Sequence, residues 1–138
     1  MTTIPTSILI KKASLEYDKT ANRFLEPYKI SNSQFKLLKY LFRQPELTVT
    51  QRDLEHYFYM TNPTVTGLLQ NMEKKDLIVR VKNPNDGRSK VIGLTEKFLA
   101  IKEDLLNLGA AIDQTLLKNL NQEEQEQLNH LLSQLLKN

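Results

Sequence analysis

The chain has 138 residues, 25% of them charged, and a net charge of +3, a length that supports one core but not two independent ones. It has no cysteine, which excludes disulfides, thiolate metal sites and cysteine redox sensing together. No apolar run approaches membrane-spanning length and the N-terminus lacks the basic-then-apolar pattern of a secretory signal, so a cytoplasmic protein with no membrane partner is expected.

The modest net charge is unevenly spread. Residues 1–50 carry eight basic against four acidic side chains, residues 51–95 seven against five, and residues 96–138 four against seven. A basic front with an acidic end suits a protein that presents one face to a polyanion. Along the chain, Ala13, Tyr17, Ala21, Phe24 and Tyr28 recur every three or four residues and mark a long first helix that should end near Pro27. Ser31-Asn32-Ser33-Gln34 is a capping-box pattern opening a second helix with the apolar stripe Phe35, Leu38, Leu41 and Phe42, closed by Pro45. Thr50, with Asp53 three residues on, opens a short third helix carrying Leu54, Tyr57 and Phe58. Thr61-Asn62-Pro63 opens a fourth, with Asn62 expected as the cap because proline favours the first helical position.

In the fourth helix Val65, Leu68, Leu69 and Met72 form one buried stripe. At roughly 100° per residue, the centre of the opposite face falls on Pro63, Gly67, Gln70 and Lys74, flanked by Thr64, Thr66 and Asn71. A solvated helix face more often carries Glu and Lys pairs. Short hydroxyl and amide side chains around a glycine instead let a helix sit deep in a major groove and hydrogen-bond base edges or phosphates. Gly67 costs about 1 kcal/mol relative to alanine in a helix, which a close approach would explain. The plainer reading makes Gly67 incidental and the threonines mere caps.

Residues 77–95 read as two short strands around a polar turn. Leu77, Val79 and Val81 fall on one side and Ile78, Arg80 and Lys82 on the other, followed by Val91, Ile92 and Leu94. Asn83 to Gly87 supply the turn, with Gly87 expected at positive φ. Arg80, Lys82, Arg88 and Lys90 stand against the lone acid Asp86, and Arg88 and Lys90 should project at or near the tip. Beyond the hairpin, Thr95 opens a fifth helix in which Phe98, Ile101, Leu105, Leu108, Ile112 and Leu116 follow near-heptad spacing, broadened by Leu99 and Leu106. Asn121 to Glu124 cap a sixth helix bearing Leu128, Leu131, Leu132, Leu135 and Leu136. The third and fourth helices followed by the hairpin read as a winged helix, which cannot cover this much apolar surface, so both later helices are expected to pair two copies; the alternative is that they fold back on their own lobe.

The chain resembles the MarR-type transcriptional regulators. The likeness is most specific over residues 64–95, in Thr64-Val65-Thr66, Glu73-Lys74-Lys75, Leu77-Ile78 followed by Arg80, Asp86-x-Arg88, and Leu94-Thr95-Glu96. It implies a mainly α fold with a small β-hairpin, one domain over residues 1–138. Residues 31–95 would be a winged helix-turn-helix lobe and residues 1–30 and 96–138 dimerisation helices. It also implies a homodimer on palindromic double-stranded DNA, most simply a repressor. The recognition helix, 62–75, would enter the major groove and the wing, 82–91, the minor groove. The DNA-binding set is then Asn62, Thr64, Thr66, Gly67, Gln70, Lys74, Asp86, Arg88 and Lys90, with Asp86 orienting Arg88 or stabilising the wing turn. Leu105, Leu108, Ile112, Leu128, Leu132 and Leu135 would make the dimer. A small aromatic or anionic effector is implied, with Tyr17, Tyr40 and Phe58 among the aromatics that could line its site and plain packing as the alternative. Three positions depart from the family pattern: Asp76 and Phe98 stand where glycine is usual, and Gly67 where many relatives carry arginine. Asp76 takes a left-handed cap less readily than glycine, so the fourth helix is expected to end differently.

Catalysis is not expected. His56 and His130 lie in separate helices without a ligand pattern, and no serine sits in a strand-turn-helix elbow with a histidine to activate it. The Glu123-Glu124 pair sits at a helix start, where the dipole accounts for it. Neither a metal nor a cofactor is expected. The competing reading from another class is a winged helix used as a protein-interaction module.

Overall fold

A computed structural model describes residues 3–137; Met1, Thr2 and Asn138, the outermost residues of the expected dimerisation segments, lie outside it. The described elements are α1 (Thr6–Leu25), α2 (Asn32–Arg43), α3 (Gln51–Phe58), α4 (Asn62–Lys74), β1 (Ile78–Lys82), β2 (Lys90–Leu94), α5 (Glu96–Leu116) and α6 (Gln122–Leu135), with a 3₁₀ turn at Glu26–Tyr28. The expected fold class holds.

Helix starts follow local capping chemistry. Ser31 and Gln34 close a reciprocal capping box on α2, Thr50 and Asp53 on α3, and Asn121 and Glu124 on α6, while the Thr95 hydroxyl accepts the Phe98 N–H at 3.2 Å. At α4 the cap is Thr61, not Asn62. The Thr61 hydroxyl accepts the Thr64 N–H, and proline at the second helical position is tolerated because that N–H has no intrahelical partner in any case. Asn62 is thereby left inside the first turn, with its side chain free to reach α3.

The end of α4 corrects a second expectation. Asp76 adopts the left-handed conformation at φ 59°, and the helix closes as if glycine stood there. The Asp76 N–H donates to Glu73 O and the Leu77 N–H to Met72 O, both at 3.0 Å, which is a Schellman closure. This closure puts Leu77 against Met72, so Leu77 and Ile78 are both buried while Val79 is 43% exposed. The strand begins only at Ile78, and the alternation expected from Leu77 starts one residue late. The cap and first turn of α5 satisfy the two carbonyls just past α4: Thr95 Oγ1 donates to Asp76 O at 2.6 Å and Lys97 Nζ to Lys75 O at 2.8 Å.

The core gathers Ala21 and Leu25 of α1, Phe35, Leu37, Leu38 and Leu41 of α2, Leu54 of α3, Val65, Leu69 and Met72 of α4, and Phe98, Leu105 and Ile112 of α5. Leu68 is partly buried against it. In α2 Leu37 is buried where Phe42 was expected; Phe42 lies at the margin, its ring centroid 6.3 Å from that of Phe98. β1 and β2 pair antiparallel from Ile78 with Leu94 to Lys82 with Lys90, and the Ile92 N–H donates to Val49 O, tying the hairpin to the loop before α3. Gly109 of α5 leaves room for Phe35, whose ring would stand 3.0 Å from an added Cβ.

The two leucine-rich helices part company here. Leu105 and Ile112 are each 1% exposed, because that heptad stripe packs on α1 and α2 of its own chain. Both are corrected from dimer contacts to core residues, and Leu108 is partly buried against the same core. α6 buries nothing: Leu128, Leu131, Leu132, Leu135 and Leu136 are exposed, as are Ile8, Leu9, Ile10 and Leu15 on the first half of α1.

Candidate nucleic-acid interface

α3, a left-handed turn at Tyr59 (φ 53°) and α4 form a helix-turn-helix. Behind α4, Gln34 of α2 spans two partners: its Nε2 donates to Asn71 Oδ1 at 2.6 Å and its Oε1 accepts from Lys75 at 3.3 Å. Lys75 also donates to the Lys29 carbonyl, so this lysine points back into the lobe. Beside it Asn32 of α2 is held by α1, with its N–H on Asn22 Oδ1 and its Nδ2 on Asp18 Oδ1, each at 2.7 Å. Arg80 of β1 grips Glu73 of α4 through Nε at 3.1 Å and a terminal nitrogen at 2.7 Å, a partly buried pair that joins the helix to the hairpin. These contacts fix the pose of α4 from both sides.

The face of α4 turned away from the core carries Thr64, Gly67, Gln70 and Lys74, all exposed, with Thr66 half-buried beside them. Gln70 and Lys74 have no side-chain hydrogen bond or ion pair among the described residues. A Cβ built on Gly67 meets nothing within 4 Å, so no contact among the described residues calls for glycine there. Asn62 and Thr66 are engaged instead: Asn62 Nδ2 donates to Glu55 Oε2 at 2.9 Å, and Gln51 Nε2 donates to Thr66 Oγ1 at 2.9 Å and to Glu55 Oε2 at 3.2 Å. With Arg52 these four side chains line an open hollow of about 500 Å³.

The wing tip is built from side-chain turns and not from a glycine. No glycine of the described chain has positive φ, so the expectation for Gly87 fails. Asn83 Oδ1 accepts the Asn85 N–H at 2.9 Å, the Asn83 N–H donates to Ser89 O at 3.0 Å, and the Ser89 N–H to Asp86 O at 3.2 Å. A loop of this length needs no two-residue turn, hence no left-handed glycine. Asp86 Oδ1 accepts the Arg88 N–H at 3.0 Å and lies 3.5 Å from its Nε, while the Arg88 side chain is 95% exposed. Lys90 is exposed at the base of the wing opposite Lys82, two like charges held side by side.

Of the three aromatics expected at an effector site, Tyr40 and Phe58 meet each other, and neither makes the contact that Tyr17 makes. Tyr40 packs at a tilt on Tyr57 and edge-to-face on Phe58, at centroid distances of 4.4 and 5.7 Å. Tyr17 instead donates its hydroxyl to Asp113 of α5; burial and that carboxylate push its pKa well above the usual phenol range. Lys39 lies near the same carboxylate, 4.8 Å from the centroid of the Phe35 ring, and burial lowers its pKa against the opposing pull of Asp113. The open hollow on that side of the chain, about 470 Å³, is lined by Phe24, Pro27, Tyr28, Asp104, Asn107 and Leu108 and by none of the three. His56 and His130 are exposed on α3 and α6.

Residue-by-residue reading missed Gln34, Gln51 and Glu55 at this site. Their partners on other helices and beyond lie 7 to 41 positions away in sequence, and no local pattern announces such contacts.

A family model described as "MarR family" matches residues 30–90. The multiple antibiotic resistance protein MarR of Escherichia coli (strain K12) is 31% identical over 134 residues, 96% of this chain and 92% of that protein. Among solved structures, the S. aureus MepR–DNA complex superimposes with a TM-score of 0.86 at 34% identity, covering 97% of this chain and 98% of that one. A mutant MarR from E. coli complexed with operator DNA also gives 0.86, at 30% identity and 97% and 95% coverage.

Proposed function

The chain belongs to the MarR family of transcriptional regulators, and from that premise we propose that it is a homodimeric, sequence-specific DNA-binding regulator. α4 enters the major groove of a palindromic operator, and Arg88, braced by Asp86, enters the adjacent minor groove. The observation that carries this reading is the outer face of α4. It is polar and exposed, uncharged until Lys74, and has at Gly67 a vacancy that no described residue fills. The similarity to two proteins solved with DNA supports the same pose.

Residues 31–95 serve as the DNA-binding lobe, and residues 1–30 and 96–138 pair the two copies. The pairing surface is the exposed apolar stripe of α6, with Leu128, Leu132 and Leu135, together with the first half of α1. Covering a leucine side chain is worth about 1.5–3 kcal/mol, so so many uncovered leucines and isoleucines favour association. Two-fold symmetry then doubles the base contacts and sets half-sites about one helical turn apart. Repression by blocking promoter access in the cytoplasm is the simplest output. A small aromatic or anionic effector would release the DNA, with half-buried Lys39 suited to its negative end.

Salt dependence tests the core of this proposal. Each phosphate neutralised contributes about −0.9 to the log-log slope of affinity against salt, so a steep slope and a loss of affinity in Arg88→Ala are expected. A flat slope, or an Arg88→Ala protein that binds selected DNA like its parent, would point to the protein-interaction module instead.

A further inference from the structure

Glu55 is out of place on a surface that meets DNA. It is a half-exposed carboxylate with no basic partner among the described residues, and it adjoins the first turn of α4, where it would repel phosphate. It does, however, receive the amide groups of two neighbours, Gln51 of α3 and Asn62 of α4. An ionised carboxylate can only accept hydrogen bonds, so each amide must turn its NH₂ toward Glu55. Gln51 Nε2 is further engaged by Thr66 Oγ1 at 2.9 Å and lies 3.4 Å from Asn62 O. The carbonyl oxygens at the other ends, Gln51 Oε1 and Asn62 Oδ1, have no partner among the described residues, and both side chains line the open hollow.

We infer that Glu55 is a positioning residue that sets the sequence preference of the helix-turn-helix: it locks Gln51 and Asn62 so that they offer DNA acceptors and not donors. In the major groove the complementary donors are the exocyclic amines of adenine (N6) and cytosine (N4), whereas guanine O6 and thymine O4 are acceptors. The bases facing the Gln51 and Asn62 carbonyls are therefore adenine or cytosine, while Arg52, which also lines the hollow, only donates and stands outside this lock. Gln70, free of any such lock, can turn either end of its amide to a base, so the constraint is confined to the hollow. The inference rests on α4 reading a major groove, as proposed above.

Selection of bound sequences from a random duplex pool, run in parallel on the full-length wild type and Glu55→Gln, tests it. A glutamine can donate as well as accept, which frees both neighbouring amides to flip. The wild type is expected to enrich adenine or cytosine at one or two positions of each half-site. Glu55→Gln should lose that preference by about tenfold at those positions while keeping the rest of the motif. Identical motifs from the two proteins would overturn the inference, and so would a uniform loss of affinity for selected and random DNA alike, the mark of a merely structural residue. Should Glu55→Gln fail to fold by circular dichroism, Gln51→Leu reaches the same end by deleting one acceptor. Loss of an adenine or cytosine preference at a single position per half-site supports the lock, and loss of a guanine or thymine preference there, or an unchanged motif, refutes it. A wild type that enriches no motif fails at the earlier step and overturns DNA reading itself.

Discussion

Replacing Gly67 by alanine should move folding and DNA binding in opposite directions. Glycine inside a helix costs about 1 kcal/mol relative to alanine because it orders a freer backbone and exposes more of it. The usual offset, a clash of the new methyl with a neighbour, is absent, since an added Cβ meets nothing within 4 Å. Gly67→Ala should therefore gain close to the full amount, seen as a melting temperature higher by roughly 3–5 °C for a chain of this size. Thermal unfolding followed by circular dichroism, at matched protein concentration, measures it. If the vacancy is where the groove floor comes, the methyl should weaken binding to selected DNA by about 1 kcal/mol, roughly fivefold in Kd by fluorescence anisotropy. A less stable variant would refute the structural premise. A more stable variant that binds DNA as tightly as the parent would mean that no close approach accounts for the glycine.

Three further outcomes are expected. Asp76→Gly relieves a left-handed cost of about 1–2 kcal/mol and removes a negative charge at a helix C-terminus worth about 0.3–1, against about 0.5–1 for glycine's added chain entropy. A net gain near 1 kcal/mol should appear as a higher urea midpoint, and a midpoint at or below the parent's would contradict the cap. Leu132 and Leu135, 40% and 60% exposed, should yield folded monomer when both become aspartate, whereas Leu105→Asp should fail to fold because it strands a charge in the core. Light scattering that still reports a dimer from the double variant would remove α6 from the interface. The Tyr17 phenol, raised from its ordinary value of 10 by burial and by Asp113, stabilises the fold fully below pH 10 and progressively less as pH climbs toward its folded-state value. Tyr17→Phe should flatten the alkaline limb of the stability curve, and an unaltered limb would place its cause elsewhere.

Much of this architecture is local chemistry and so is legible along the chain. Ser31 with Gln34, Thr50 with Asp53 and Asn121 with Glu124 each announce a helix start, because both partners of a capping box lie within four residues. The buried stripe of α4 fixes, by helical period alone, which residues face outward, so the candidate reading face was visible before any contact was known. Packing settled what spacing leaves open. The leucines of α5 and α6 look alike in sequence, yet α1 and α2 cover Leu105 and Ile112 while Leu132 and Leu135 stay exposed among the described residues of one copy. Whether an amphipathic stripe becomes core or interface depends on what stands opposite it, and no period encodes that. The same holds at the head of α4: the amide of Asn62 reads locally as a cap, but its partner is Glu55 on another helix, and only the crossing of α3 and α4 brings the two together.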